Sequence, residues 1–461
     1  MNRNVPDVGV SALLRFAWPS VASFVCNSAF RVNDQFWVGG LGAQVQAALA
    51  ASTFVMILNF AVYFLIVAGT LPQVARLTGA GDMRGRDEVV AHAISLQVVI
   101  GALHGCIGWL AAPWIAQLLG LEGAVAAGAV EYLRMGFLLT IPMGLAALVD
   151  NVFFGVGDTR TPLLLQLLAV GLNFLLNPIF IYGVAPWDGF ELLRDGSAQP
   201  WMGIGGAALA TGLSRLAAVS LGFVLLWRRH RVRWWPTGAL IFKRLRSIVV
   251  MGAPSAISVA IYAGVYFGLL RLVFEPLPTN VLAGFGLGFN AFEGVAFPFY
   301  LGLAVAGASL VGRCLGAGDP AAISGAIRSL RILGLATGLG FAAIFMFLAP
   351  VIVPLFTRDE AVMAVSIQYV QVLALSQVFV ALEVLSEKVL LGVGITRPAL
   401  WISVPCNLLR IPLAAWLALH LGYGAVGIWW AINITTLLKA LAFHLMVRRE
   451  PWRADMTAAA A

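Results

Sequence analysis

Charged residues are scarce in this chain, and several stand where an apolar environment makes them expensive. Asp34 lies three residues after Arg31 at the end of the first apolar run, a spacing that puts both side chains on one face of a helix. Glu293 and Glu383 interrupt two later runs, Glu387 follows Glu383 by one turn with Lys388 beside it, and Arg271 and Arg410 are further cations within such runs. A charge held in hydrocarbon costs roughly 2.5–3.5 kcal/mol or more, so each of these residues is a functional candidate by default. Two chemistries are open to Asp34. A standing pair with Arg31 makes it structural and permanently ionised; otherwise it is a carboxylate that binds and releases a cation as its surroundings change. Proton exchange needs the acid to approach neutrality through burial, whereas sodium binding needs it charged among oxygen ligands. Glu387 reads as neutralised by Lys388. Glu293 and Glu383 have no such neighbour, and they are free to carry protons, to attract a cationic solute, or to pair with Arg271 and Arg410.

Aromatic residues near these acids have a chemistry of their own. Phe30, one turn before Asp34, and Phe292, Phe297, Phe299 and Tyr300 around Glu293 are candidates to stack on a flat organic cation. Against that stands the bulk of the 28 phenylalanines, which must face lipid or pack. Cys26, Cys106, Cys314 and Cys406 lack the paired spacing of a metal site and read as structural thiols. No Walker-type lysine, His-Glu-x-x-His or serine-nucleophile elbow occurs, so neither ATP-driven work nor hydrolysis has support, and no cofactor is expected.

The elements that must position these residues are membrane spans. Of 461 residues 61% are hydrophobic and 11% charged, with a mean hydropathy of +0.91, too little polar surface to cover a water-soluble body. Apolar segments of about 20 residues, the length that crosses about 30 Å of hydrocarbon, recur near 10–33, 45–70, 92–116, 128–153, 161–184 and 203–227, and again near 247–273, 281–311, 325–350, 363–391, 398–420 and 425–447. The net charge of +8 sits in alternate loops: Arg76, Arg84 and Arg86, then Arg160, then the run from Arg228 to Arg246, then Arg313, Arg328, Arg397, Arg448, Arg449 and Arg453. By the positive-inside rule those loops and both termini are cytoplasmic, and the charge is topological, so no nucleic-acid partner is expected. No removable leader is read at Met1-Asn2-Arg3-Asn4.

The chain is also a duplication. Gly155-Val156-Gly157-Asp158-Thr159-Arg160-Thr161-Pro162 returns 237 residues later as Gly392-Val393-Gly394-Ile395-Thr396-Arg397-Pro398. The same offset carries Arg76 onto Arg313, Gly79-Ala80-Gly81-Asp82 onto Gly316-Ala317-Gly318-Asp319, and Tyr132 onto Tyr369. An offset that maps one basic loop onto another means an even number of spans per half. The expected fold is therefore an all-α membrane protein of twelve transmembrane helices in two parallel six-helix bundles related by a pseudo-two-fold axis, residues 1–227 and 247–461 joined by a basic linker at 228–246. The segment 185–200 has no counterpart in the second half and reads as an outward insertion, either a cover over the outer mouth or a tolerated loop. Tight turning explains the repeated Gly-x-Gly-x-Thr-Arg, since no strand precedes it as a phosphate loop would need.

On these residues the chain resembles the multidrug and toxic compound extrusion (MATE) transporters along nearly its whole length. The resemblance is carried by Trp18-Pro19, by Val32-Asn33-Asp34 followed by Gly39-Gly40-Leu41-Gly42, by the two Gly-Ala-Gly-Asp turns and by the two Gly-x-Gly-x-Thr-Arg turns. It implies a monomeric secondary antiporter of the bacterial-type inner membrane that expels amphipathic, mostly cationic organic compounds in exchange for protons or sodium ions. It also implies a cation-coupling site at Asp34 with Asn151, Asn173, Asn177 and Thr211, a sodium ion there being the one metal it allows; the second acid of that family site is replaced by Asn177. The alternatives are a flippase for lipid-linked cargo, for which Arg31, Arg215, Arg271 and Arg410 would supply the cations, and a passive channel or scaffold, which would not need Asp34 to titrate.

Overall fold

In a computed structural model the described residues, 6–195, 200–236 and 241–453, are helical nearly throughout. Residues 196–199 of the insertion, 237–240 of the linker, and the two ends of the chain, 1–5 and 454–461, lie outside the described residues. The helices are α1 (Val10–Gly39), α2 (Ala43–Ala80), α3 (Met83–Leu118), α4 (Gly123–Leu138), α5 (Thr140–Val156), α6 (Arg160–Tyr182), α7 (Pro186–Asp195) and α8 (Gly203–His230). They continue as α9 (Phe242–Leu269), α10 (Thr279–Gly288), α11 (Gly294–Gly316), α12 (Pro320–Ile352), α13 (Glu360–Ala374), α14 (Gln377–Gly392), α15 (Val404–Ala415) and α16 (Gly424–Arg448). Among the described residues nine helical stretches are long and apolar enough to span a bilayer, and two bent pairs, α4 with α5 and α13 with α14, bring the number to eleven. The 30-residue α1, which carries Arg15, Arg31 and Asp34, is long enough for a twelfth span but falls short of that apolarity.

The two bent spans break at the same place in the repeat, by 51° at Leu139 and by 57° at Leu375–Ser376. In the first, Pro142 has no N–H for the ladder and clashes with the preceding turn. In the second no proline is needed: the Leu373 carbonyl accepts the Ser376 N–H at 3.1 Å in a tightened turn, and the Ser376 hydroxyl and the Gln377 amide donate to the same oxygen at 2.9 and 3.3 Å. Four π-helical turns, Leu270–Phe274, Phe289–Glu293, Ala399–Ser403 and Trp416–His420, all occur in the second half; Arg271 lies on one and Glu293 ends another. Such widened turns often mark functional positions.

The helices form two compact units, one of Cys26–Val74 with Asp82–Ala256 and the other of Met1–Val25, Ala75–Gly81 and Ile257–Ala461. The latter holds both copies of the repeated glycine-rich turn. There a Cβ on Gly79 would lie 2.0 Å from the Arg313 carbonyl oxygen, and one on Gly316 would lie 1.9 Å from that of Arg76. Each glycine admits the backbone of the other copy's arginine, a reciprocal contact that only the missing side chains permit. The turn residues Gly81 and Gly318 have φ of +74° and +70°, a region glycine enters at little cost. The aspartates that follow cap the next helices, Asp82 accepting from Gly85 N at 2.8 Å and Asp319 from Ala322 N at 2.9 Å.

The insertion that reads as a loop or cover is in part a helix, α7, docked on the first unit. Phe190 packs on Trp37 and Phe174 with ring centroids 4.9 and 6.0 Å apart. Trp37 is fully buried and stands one turn beyond Asp34.

Candidate functional site

Asp34 does not pair with Arg31 among the described residues, so the structural reading of that spacing fails. Arg31 is exposed, while Asp34 turns inward toward α6 and α8. Asn173 and Asn177 lie four residues apart on α6, both fully buried, and present their amides on one face. The Asn177 Nδ2 donates to Asp34 Oδ1 at 2.9 Å, the Asn173 Nδ2 at 3.4 Å, and the Thr211 hydroxyl lies 3.2 Å from Oδ2. Asn173 is itself fixed by two further bonds: its Oδ1 accepts from Asn33 Nδ2 at 2.6 Å and its Nδ2 donates to Thr211 Oγ1 at 2.9 Å. The carboxylate thus sits in a cradle of neutral dipoles, and among the described residues no cation forms an ion pair with it. The buried Asn177 Oδ1 has no hydrogen-bond partner among the described residues. Asn151 stays outside this cradle, its amide donating back to the Ala147 carbonyl of its own helix at 2.8 Å.

A second polar group in the same unit escapes a reading of the sequence. Asp150, buried at the end of α5, accepts from Gln166 Nε2 at 2.6 Å; Gln166 Oε1 accepts from Arg215 Nη1 at 2.7 Å; and Arg215 also donates to Asn27 Oδ1. Arg215 stands one turn after Thr211 on α8, and its guanidinium lies 4.1 Å from the ring centre of Phe30. The cost rule that singled out Asp34 applies to Asp150 too, and it is the signal that could have found this residue. Phe30 is buried, so its face is turned to Arg215.

The other unit gathers the remaining acids, with partners that differ from those of the sequence reading. Glu293 accepts from the Tyr369 hydroxyl at 2.6 Å, and Glu383 pairs with Lys439 at 2.6 Å, a cation the sequence reading did not consider. Glu387 pairs with Lys388 at 3.0 Å as expected. Arg410 turns instead to Thr435 Oγ1 at 3.0 Å, Thr436 Oγ1 at 3.4 Å and the Tyr266 hydroxyl at 3.5 Å, and the exposed Arg271 lies 3.7 Å from Glu275. Of the aromatics, Phe292 is buried edge-on to Phe345, Tyr300 is buried and donates to Gln377 Oε1 at 3.2 Å, and Phe297 is exposed. Among the described residues no group of three or more His, Cys, Asp or Glu side chains is placed to hold a metal ion.

A family pattern named MatE matches residues 19–179 and again residues 254–416, once in each half and together most of the chain. This chain belongs to the MatE family. The family is one of multidrug efflux transporters. Among relatives of the MatE chain, a probable multidrug resistance protein NorM of Thermotoga maritima is 25% identical over 431 residues, 92% of this chain and 89% of that protein. An FAD transporter of Shewanella oneidensis is 25% identical over 452 residues, 96% and 95% of the two chains. The MatE fold also overlays the outward-facing conformation of a multidrug resistance MATE transporter with a TM-score of 0.86 over 99% of this chain and 98% of that one, at 22% identity.

Proposed function

We propose that this MatE protein is a monomeric secondary antiporter of the inner membrane, with both termini cytoplasmic, and that it exports amphipathic, mostly cationic organic compounds in exchange for protons bound at Asp34. The observation that carries the proposal is the cradle itself: a carboxylate in a membrane span, held by two amides and a hydroxyl rather than by a cation. A carboxylate so held gains charge stabilisation from dipoles that need not leave when a proton arrives, whereas a salt bridge would hold it ionised. In the charged state Asn173, Asn177 and Thr211 donate to it. In the neutral state the new O–H needs an acceptor, and Thr211 Oγ1 or, after a half-turn of the amide, the unpartnered Asn177 Oδ1 supplies one. The same half-turn would offer those oxygens and Asp34 to a sodium ion, so the coupling ion is decided by transport. In proteoliposomes, an imposed proton gradient should drive accumulation of an organic cation such as ethidium, and a sodium gradient alone should not. Asp34→Asn should abolish that uptake with the protein still folded; wild-type uptake in the variant would refute the coupling role.

A second reading, export of an anionic or lipid-linked cargo, takes its support from the FAD-transporting relative and from the buried cations. Each buried cation among the described residues, however, already has internal partners: Arg86 with Asp87, Arg215 with Asn27 and Gln166, Lys388 with Glu387, Arg410 with Thr435 and Thr436, Lys439 with Glu383. That favours the cationic cargo. Flavin uptake in the same vesicles with no response to ethidium would reverse the preference, and gradient-independent leak would mark a passive channel.

A further inference from the structure

At the chain's last helix three arginines converge, and among the described residues no acid forms an ion pair with them. Arg328 and Arg331 on α12 and Arg448 at the end of α16 line a cavity of about 390 Å³ together with Ser324 and Trp452. The one carboxylate beside it, Glu450, is engaged by Arg453 and by the Ser324 hydroxyl at 3.4 Å. Among the described residues none of the three arginines has an ion-pair partner, and Arg331 and Arg448 are close enough to act on each other as like charges. Like charges brought together with their one neighbouring carboxylate already engaged raise the free energy of the cavity, and an anion relieves it. The buried Trp452 adds an indole N–H without an acceptor. Ile332 and Leu335, which continue the lining along α12, are 47% and 42% exposed, so the cavity opens from a cationic floor onto an apolar helix face.

From this we infer that the cavity binds the phosphate headgroup of an anionic phospholipid, its acyl chains lying along Ile332 and Leu335. Three guanidinium forks fit phosphate oxygens, and the apolar flank distinguishes a lipid from a soluble anion. The turn that builds the cavity is specific. Glu450 adopts a φ of +46°, unusual for a side-chain-bearing residue, at the turn that follows α16, and the buried Trp452 two residues on joins the cavity lining.

The test is native mass spectrometry of the full-length protein with phosphatidylglycerol and with phosphatidylcholine of the same chains, and with inorganic phosphate added as a competitor. Phosphatidylglycerol should be retained in preference to phosphatidylcholine, and inorganic phosphate should not displace it. The triple substitution Arg328→Gln, Arg331→Gln, Arg448→Gln should weaken its binding roughly 100-fold, and Arg331→Gln alone roughly five-fold, at about a factor of five per cation. A control that removes the same charge elsewhere, Arg160→Gln, Arg228→Gln, Arg233→Gln, should bind as wild type. Equal binding of the two lipids, equal loss in the control, or displacement by phosphate overturns the assignment. Should the triple variant fail to fold, unchanged binding by Arg331→Gln does so as well.

Discussion

At the residue scale, acids in this chain are distinguished by what answers them. Glu383 and Glu387 have lysines at 2.6 and 3.0 Å, Glu293 has one tyrosine hydroxyl, and Asp34 has only amides and a hydroxyl. Asp158 shows the opposite extreme, outside the membrane spans. Its carboxylate accepts from the Arg160 and Thr161 amides at 3.0 and 2.9 Å, from the Thr161 hydroxyl at 2.6 Å and from His230 Nε2 at 2.9 Å. Burial alone would raise this carboxyl, but the hydrogen bonds from His230 and Thr161 outweigh it and hold it below the usual carboxylate range. A depressed folded value means that the stabilisation is complete above the unfolded value of about 3.9 and is lost as pH falls through the lower folded one. Asp158→Ala should therefore lower stability at neutral pH by about 0.5–2 kcal/mol, the range of a lost helix cap, and the gap to wild type should narrow only below about pH 4. Thermal melts of both proteins across pH check this.

At the element scale, the repeat is written into helix ends and bends. Both copies of Gly-Ala-Gly-Asp turn the chain through a left-handed glycine and cap the next helix with the aspartate. Both bent spans break at equivalent residues, although only one break has a proline near it. The expectation of a tight turn at Gly-x-Gly-x-Thr-Arg agrees with φ of +89° at Gly157 and +84° at Gly394. The copies diverge in the residue that follows: Asp158 caps α6, whereas Ile395 has no side chain to do so. The reciprocal contact of Gly79 and Gly316 makes a sharp prediction. A methyl at Gly316 would stand 1.9 Å from a backbone oxygen that cannot swing away. Gly316→Ala should cost about 1–3 kcal/mol through overpacking, read as a lowered melting temperature in detergent, whereas Gly286→Ala, with nothing near its Cβ position, should stay near wild type.

At the scale of the whole molecule, the proposed orientation in the bilayer rests on the placement of the arginine-rich loops. Single cysteines in a background free of the four native ones test it. Trp187→Cys, on the exposed face of α7, should react with an impermeant maleimide in intact cells, and Arg160→Cys should react only after permeabilisation. The reverse pattern would invert the topology and with it the direction of the proposed exchange.

The fold was legible in the sequence because the bilayer imposes a length on every span and the duplication repeats its landmarks at one offset; composition and spacing suffice to read both. Asp34 was legible for a related reason, since a charge in hydrocarbon is costly wherever its partners are. Its partners were not. Residues three apart on a helix are neighbours, which made Arg31 the natural partner, yet rotation of α1 in the bundle exposes Arg31 and turns Asp34 toward α6 and α8. Lys439 for Glu383, and Gln166 with Arg215 for Asp150, likewise come from helices remote in sequence. Sequence periodicity defines the face of a helix, but only the packing of helices decides what that face meets.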